Sequence, residues 1–247
     1  MPDSDESLKL HIQSVYEQHK GNYGYRRITA TIRNTGMLVN HKRVQRIMQS
    51  IGLKSRNKTR RYRSYKGEVG TVAPNLLQRN FNASEPNTKW VTDVTEFNVG
   101  GNKLYLSPIM DLYNGEIVSY HIQQRPSFDM VKSMLNKAIK KLKPHEKPLL
   151  HSDQGWQYQM FFYQEKLKTS GLTQSMSRKG NCLDNASMES FFGTLKSECF
   201  HYRRFESLNQ LEQTLHEYIH YYNHDRIKLK LKGLSPVQYR IKSFKAA

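Results

Sequence analysis

Three carboxylates, Asp93, Asp153 and Glu189, stand so far apart in the chain that only a fold can bring them together. Asp93 lies in Trp90-Val91-Thr92-Asp93-Val94-Thr95-Glu96-Phe97, which reads as a strand with Val91, Asp93, Thr95, Phe97 and Val99 on one face. A bare charge on such a face is costly unless it is paired or holds a metal. Asp153 ends a second apolar run, Pro148-Leu149-Leu150-His151-Ser152-Asp153, and Glu189 sits in a helical stretch with 35 residues between it and Asp153. Two strand carboxylates and one helix carboxylate make an all-oxygen set suited to two hard divalent ions, which keep room for water and phosphate. The chemistry implied is in-line displacement at a phosphodiester, with no covalent protein intermediate.

The residues around these acids sharpen the reading. Asn185, Glu189, Gly193 and Lys196 fall at i, i+4, i+8 and i+11, one stripe of a helix whose other side is Met188, Phe191, Phe192 and Leu195. The stripe offers a metal ligand, a spot without a side chain where a DNA backbone could approach, and a cation. Asp184 precedes this helix where an N-cap belongs, and capping is its expected job. Asp111 reads as structural, and Glu96 points to the opposite strand face from Asp93. His151 shares a face with Asp153, either orienting substrate or the carboxylate or sitting satisfied in the core. Trp90 and Trp156 are most simply packing residues, with base stacking open for Trp156.

The elements that must position the site follow from periodicity. Residues 1–53 read as helices only: Leu8, Ile12 and Val15 share a face, Ile28 and Ile32 another, and Asn40 can cap a third helix carrying Val44, Ile47, Met48 and Ile51. The turn at Thr35-Gly36 suggests a helix-turn-helix-like unit, and Lys42, Arg43 and Arg46 are its candidate DNA contacts. Residues 54–87 read as a linker. Its stretch 54–66, including Arg60 and Arg61, holds seven basic residues and no acid, a composition suited to phosphates. From 88 to 203, strands at 90–99, 103–112 and 115–123 precede helix 127–142, strand 148–153, helix 160–170, strand 172–176 and helix 184–199. Pro108 suggests a bulge or a partial edge in the second strand. Three antiparallel strands followed by alternating helices and strands fit a ribonuclease-H-like α/β core with a mixed sheet. A helical extension, 204–247, contains a long helix capped by Ser207 and a short one started by Ser235-Pro236.

Composition bounds the partners. The net charge of +18 on 247 residues points to nucleic acid, although a solvated basic surface accounts for part of it. Cys182 and Cys199 lack metal-ligand spacing, so structural zinc is not expected. No apolar run approaches the roughly 18 residues of a membrane helix, and the acidic start is no signal peptide; the expectation is a soluble, cytoplasmic, nucleoid-associated protein without a membrane partner.

Several motifs carry a family resemblance: Tyr23-Gly24-Tyr25-Arg26-Arg27-Ile28, Trp90-Val91-Thr92-Asp93, His151-Ser152-Asp153-Gln154-Gly155, Gly180-Asn181-Cys182-Leu183-Asp184-Asn185-Ala186 continuing to Glu189-Ser190-Phe191-Phe192, then Lys196, Tyr222-Asn223, Arg226 and Leu234-Ser235-Pro236. In that order they resemble the OrfB-type transposases of the insertion-sequence-three family, D-D-35-E enzymes of the retroviral-integrase superfamily. The resemblance implies a ribonuclease-H-like core and a triad of Asp93, Asp153 and Glu189 holding two Mg²⁺ ions, with Mn²⁺ able to substitute. It implies double-stranded DNA, both element ends and target, as substrate, and a homo-oligomer on that DNA. Lys196 matches the family's basic residue after its Glu, and Arg226 is read as a phosphate contact. The family's active product is usually a frameshift fusion with an upstream OrfA-type helix-turn-helix segment, so this chain is expected to need that fusion or partner for recognising element ends. Two rivals are a nuclease of the same fold without strand transfer and a non-catalytic DNA-binding regulator.

The charge reading makes a measurable demand. If about 6–10 phosphates are neutralised, affinity for nonspecific duplex falls roughly 10³–10⁵-fold between about 50 and 200 mM salt in an anisotropy titration. A flat titration would assign the basic surface to some other partner.

Overall fold

In the computed structural model, residues 4–55, 71–179 and 181–245 are described. Helices α1 (Ser4–Gln18), α2 (Tyr25–Asn34) and α3 (His41–Ser50) bury the apolar stripes seen in the sequence around one small core. The Asn40 side chain accepts the Lys42 N–H at 2.9 Å, the expected cap. Helix α2 stops at Gly36, whose φ of +92° is backbone that an L side chain rarely adopts.

The larger unit is a six-stranded mixed sheet: β1 (Lys89–Thr92), β2 (Thr95–Val99), β3 (Asn102–Asp111), β4 (Ile117–Gln123), β5 (Leu149–Ser152) and β6 (Thr173–Met176). The expected strand 90–99 is two strands, broken at Asp93-Val94. Both halves pair antiparallel with β3, and Ser107 and Pro108 stand opposite the break. The Thr92 hydroxyl donates to the Pro108 carbonyl at 2.8 Å across that gap. The bulge anticipated at Pro108 falls one residue later, between Ile109 and Met110, and β4 pairs along β3 past the proline. Strand β1 then runs parallel to β5, and β5 to β6.

Alternation sends Trp90 and Val91 to opposite faces, and each face has its own cover. On one side α4 (Phe128–Ile139), α5 (Trp156–Gln159) and α6 (Phe161–Thr169) enclose Trp90, Ile109 and Leu150. On the other, Met188, Phe191, Phe192 and Leu195 of α7 (Ala186–Leu195) join α8 (Leu208–His224) over Val91, Phe97 and Leu106. The expected single helix 184–199 is a 3₁₀ turn at Cys182–Asn185, then α7, then a π turn at Lys196–Phe200. Ser207 caps α8 by accepting the Gln210 N–H, and Ser235 and Gln238 form a reciprocal capping box at α9 (Pro236–Lys245). Residues 71–87 have no helix or strand, yet Leu77 is buried in the main core and the Leu76 and Leu77 N–H groups both donate to Ser175 Oγ.

The helical N-terminal unit docks on the C-terminal helices. Tyr23 Oη accepts the Ile227 N–H at 2.9 Å, Asn34 donates to the Gly233 carbonyl at 2.8 Å, and His19 bonds Tyr221 Oη at 3.0 Å. Behind this seam Arg226 is buried. Its guanidinium meets Glu198 through two hydrogen bonds of 2.8 and 2.6 Å, while Tyr218 Oη donates to the same carboxylate and Arg27 approaches it at 3.8 Å. The reading of Arg226 as a phosphate contact is therefore corrected: its charge is consumed by a bidentate internal partner and has no route to solvent. Arg226→Ala leaves Glu198 buried beside too little positive charge and is expected to cost about 3–5 kcal/mol in urea denaturation. Replacing both with Met should cost less than that single change, and neither variant should alter the salt dependence of DNA binding once folded.

Candidate active site

The ladder between β1 and β5 places the first two carboxylates. Its register matches Lys89 with Leu149, Trp90 with Leu150 and Val91 with His151; carried two residues on, it sets Asp93 beside Asp153 at the strand ends. Asp93 Oδ1 accepts the Val94 N–H at 2.7 Å, and Asp153 Oδ1 accepts the Gly155 N–H at 2.9 Å. A methyl on Gly155 would lie 2.9 Å from that same oxygen, so glycine keeps the Asp153 loop closed down on its carboxylate. The third acid arrives on α7. Asn185, at its N-terminus, donates from Nδ2 to the Thr92 carbonyl at 3.1 Å, which pins the helix to the residue before Asp93 one turn ahead of Glu189.

Electrostatics shows Asp93 responding to both of the other acids. Burial pushes the Asp93 carboxyl well above its usual range, and the Asp153 charge raises it further. The Val94 N–H pulls it down, Glu189 adds a smaller upward push, and Lys196 offsets slightly. Asp153 is raised by burial and lowered by the Gly155 N–H. Among the described residues no group of three or more His, Cys, Asp or Glu side chains is placed to hold a metal ion as it stands. The two aspartates are the preset pair, and Glu189, half-buried, is the outer member. This donor set fits a divalent cation: it is all carboxylate oxygen, and its buried charges repel one another until a cation relieves them.

Other candidates resolve differently. His151 is a satisfied core histidine. Ser175 Oγ already accepts two N–H groups, so its hydrogen goes to His151 Nδ1 at 2.8 Å, leaving Nε2–H for Ser177 Oγ at 3.1 Å. Burial lowers its pKa to about 4, which keeps the ring neutral. Asp111 lies at the far end of β1, opposite Trp90, with its carboxylate accepting the Asn87 and Tyr113 N–H groups. Burial raises its pKa to about 6. Glu96 faces outward to Lys103 and Tyr105.

Asp184 is no cap. Its carboxylate is fully buried and takes hydrogen bonds from Arg178, Arg79 and Asn75, because two guanidiniums, one from six residues away and one from 105, outcompete the helix's own N–H groups. Lys196 is half-buried, donating to the Glu96 carbonyl at 2.8 Å with its ammonium 5.1 Å from the Phe97 ring centre. Arg43 and Arg46 both meet Asp5 of α1, whereas Lys42 is exposed on α3. Arg60 and Arg61 lie outside the described residues. Sequence reasoning missed Tyr158, buried so close to the acids that Asp93 and Asp153 both raise its phenol pKa beyond the effect of burial. Its short helix follows Gly155 with too few residues to show a period.

A mixed sheet with acids at the ends of adjacent parallel strands and a third on a flanking helix defines the integrase-core class of nucleic-acid enzymes. Family models agree: an integrase core domain matches residues 83–182, a second integrase core domain model matches 189–244, and an HTH-like domain matches 2–61. The chain is 56% identical over 243 residues to the transposase InsK of insertion sequence element IS150 from Escherichia coli (strain K12), covering 98% of this chain and 86% of that one. It is 34% identical over 245 residues to transposase InsF of insertion sequence IS3A from the same organism, covering 96% and 85%. Among solved structures, the intasome of simian T-cell lymphotropic virus in complex with PP2A regulatory subunit B56 gamma superposes with a TM-score of 0.50 at 18% identity, over 88% of this chain and 70% of that one, a likeness of fold. The chain belongs to the insertion-sequence-three family of DNA transposases.

The raised Asp93 pKa fixes a sign for stability. The fold favours the protonated acid, so stability is fullest below the ordinary carboxylate range and declines as pH rises through it toward the raised value. Asp93→Asn removes that decline. In EDTA, calorimetry should show the variant melting above the parent at about pH 8, with the gap narrowing toward about pH 4. A variant less stable at both would mean that the carboxylate is stabilised as the anion.

Proposed function

We propose that this transposase cleaves and joins DNA through Asp93, Asp153 and Glu189, which hold two divalent ions, Mg²⁺ or in its place Mn²⁺. Asp93 would contribute to both ions, Asp153 to one and Glu189 to the other, and the bound ions would supply activation of the attacking hydroxyl or water and stabilisation of the leaving oxygen. The observation that carries this reading is the β1–β5 register, which sets two acids side by side while Asn185 pins the helix of the third to the same strand end. Membership of the family supports divalent-metal dependence, and the donor set accords with it.

In this reading the exposed face of α7 receives the duplex. Gly193 lies one turn beyond Glu189, and a methyl built there meets nothing within 4 Å. Glycine inside a helix costs about 0.5–1 kcal/mol relative to alanine. No neighbour among the described residues demands it here, so in this reading its use is to admit a DNA backbone. Residues 1–53 position the DNA, with Lys42 as an exposed contact and Arg43 and Arg46 available once they leave Asp5. Residues 54–87 join this unit to the catalytic core at 88–203, and 204–247 form a helical extension. The working assembly is a homo-oligomer on element ends and target, joined by an OrfA-type helix-turn-helix protein as partner or frameshift fusion, in the bacterial cytoplasm.

Cleavage and strand transfer with labelled DNA flanking the gene test the proposal. Asp93→Asn, Asp153→Asn and Glu189→Gln should each abolish both steps while the proteins stay folded and bind DNA; cleavage without joining in the parent protein would favour a nuclease. Gly193→Ala should raise the melting temperature, whereas Gly193→Leu should fold normally yet lose DNA cleavage. Full activity in Gly193→Leu would remove α7 from the DNA path.

A further inference from the structure

One buried acid outside the triad holds an unusual set of partners. Asp184 is 0% exposed, and its two oxygens take five hydrogen bonds. Oδ2 accepts the Arg178 N–H and Nε–H and the Asn75 amide, each at 3.0 Å. Oδ1 accepts Arg79 Nε–H at 2.8 Å and an Arg178 terminal nitrogen at 3.0 Å. Arg79 reaches further, to Asn181 Oδ1 at 3.1 Å. The two guanidiniums are nevertheless outward-facing: the Arg178 side chain is 60% exposed and that of Arg79 44%. Each carries five N–H donors in a planar fork, and Asp184 and Asn181 occupy only one edge of each. Two positive charges against one buried negative leave an excess of one, fixed in orientation rather than carried on free side chains.

The place of this cluster in the chain matters. Ser177, next to Arg178, donates to the Ser152 carbonyl just before Asp153. Asn185, next to Asp184, donates to the Thr92 carbonyl just before Asp93. Arg178 and Asp184 are thus set on the segments that border the two strand ends of the catalytic pair, and Arg79 is held beside them by Asp184 and Asn181.

We propose that Arg79 and Arg178 form a preset clamp for a phosphate of the DNA strand entering the active site, with Asp184 as the positioning residue that aims both forks. This inference rests on the DNA-cleaving reading above. It assigns Asp184 a role opposite to its charge: an acid at a DNA-binding surface that strengthens binding because the ordering of two arginines outweighs its own repulsion.

Anisotropy titrations of full-length protein on a duplex of element-end sequence, across a range of salt, test this. Arg79→Ala and Arg178→Ala should each weaken binding about tenfold, one charge-assisted contact, and lower the salt slope by about one. The double variant Arg79→Lys with Arg178→Lys keeps the charge, so the salt slope should hold while affinity still falls, since an ammonium cannot reproduce the fork. Asp184→Asn makes the protein one charge more positive, so simple electrostatics predicts tighter binding; the clamp predicts weaker binding. Melting temperature and circular dichroism certify each fold. Tighter binding by Asp184→Asn, or parental affinity in the double lysine variant, would overturn the clamp. Parental protein that binds no DNA, or activity in Glu189→Gln, would instead overturn the underlying reading.

Discussion

Two like charges placed side by side are the constraint on which the rest of this structure turns. Asp93 and Asp153 sit at the ends of neighbouring parallel strands, partly or wholly out of water, where burial disfavours the ionised form of each and the Asp153 charge raises Asp93 further. Nothing local would keep them together. They stay because the β1–β5 ladder has a register set by apolar residues on both faces: a slip of one residue would turn Trp90 and Val91 onto the wrong sides of the sheet. The backbone N–H groups of Val94 and Gly155 each soften the strain. The two cores are therefore the source of the stability that the site consumes.

Other buried acids are treated in the opposite way. Glu198 meets Arg226 through a bidentate pair and adds the Tyr218 hydroxyl, and Asp184 gathers two arginines and an amide. Asp111 receives two backbone N–H groups. In each case the surrounding fold supplies the compensating donors within the protein. Asp93, by contrast, is raised by burial and by both of its neighbouring acids, a pattern that accords with the site proposed above. The contrast is physical, since burial alone would have singled out Asp184 and Asp111 before Asp153.

Much of this architecture was legible along the chain because short periods report burial directly. The stripes of Leu8, Ile12 and Val15, and of Met188, Phe191, Phe192 and Leu195, became core as their spacing implied. Caps at Asn40 and Ser207 were visible for the same reason: donor and acceptor lie two or three residues apart. What could not be read depends on partners far away. The break at Asp93-Val94 exists because β3 carries two strands along one edge, and the alternation of Val91, Asp93, Thr95 and Phe97 runs through the break undisturbed. Asp184 has the local look of a cap, yet its partner Arg79 is 105 residues away. Arg226 looks like a surface cation until α8 brings it to Glu198. Local pattern sets the elements, and tertiary competition decides which polar group each side chain meets.

The seam between the first helices and the last has a consequence for how this chain comes apart. Tyr23, Asn34 and Arg27 reach Ile227, Gly233 and Glu198, so segments some 200 residues apart in sequence share one set of contacts. The chain is closed into a ring by noncovalent bonds, with the catalytic sheet inside the loop. Opening the seam would expose Ile227 together with the small helical core and would free the buried Arg226–Glu198 pair beneath it. These contacts couple local fraying at either end to the other, so that amide exchange in α2 and in the stretch after α8 is expected to follow one opening event. A polypeptide with two recognisable halves behaves, at its margins, as one cooperative unit.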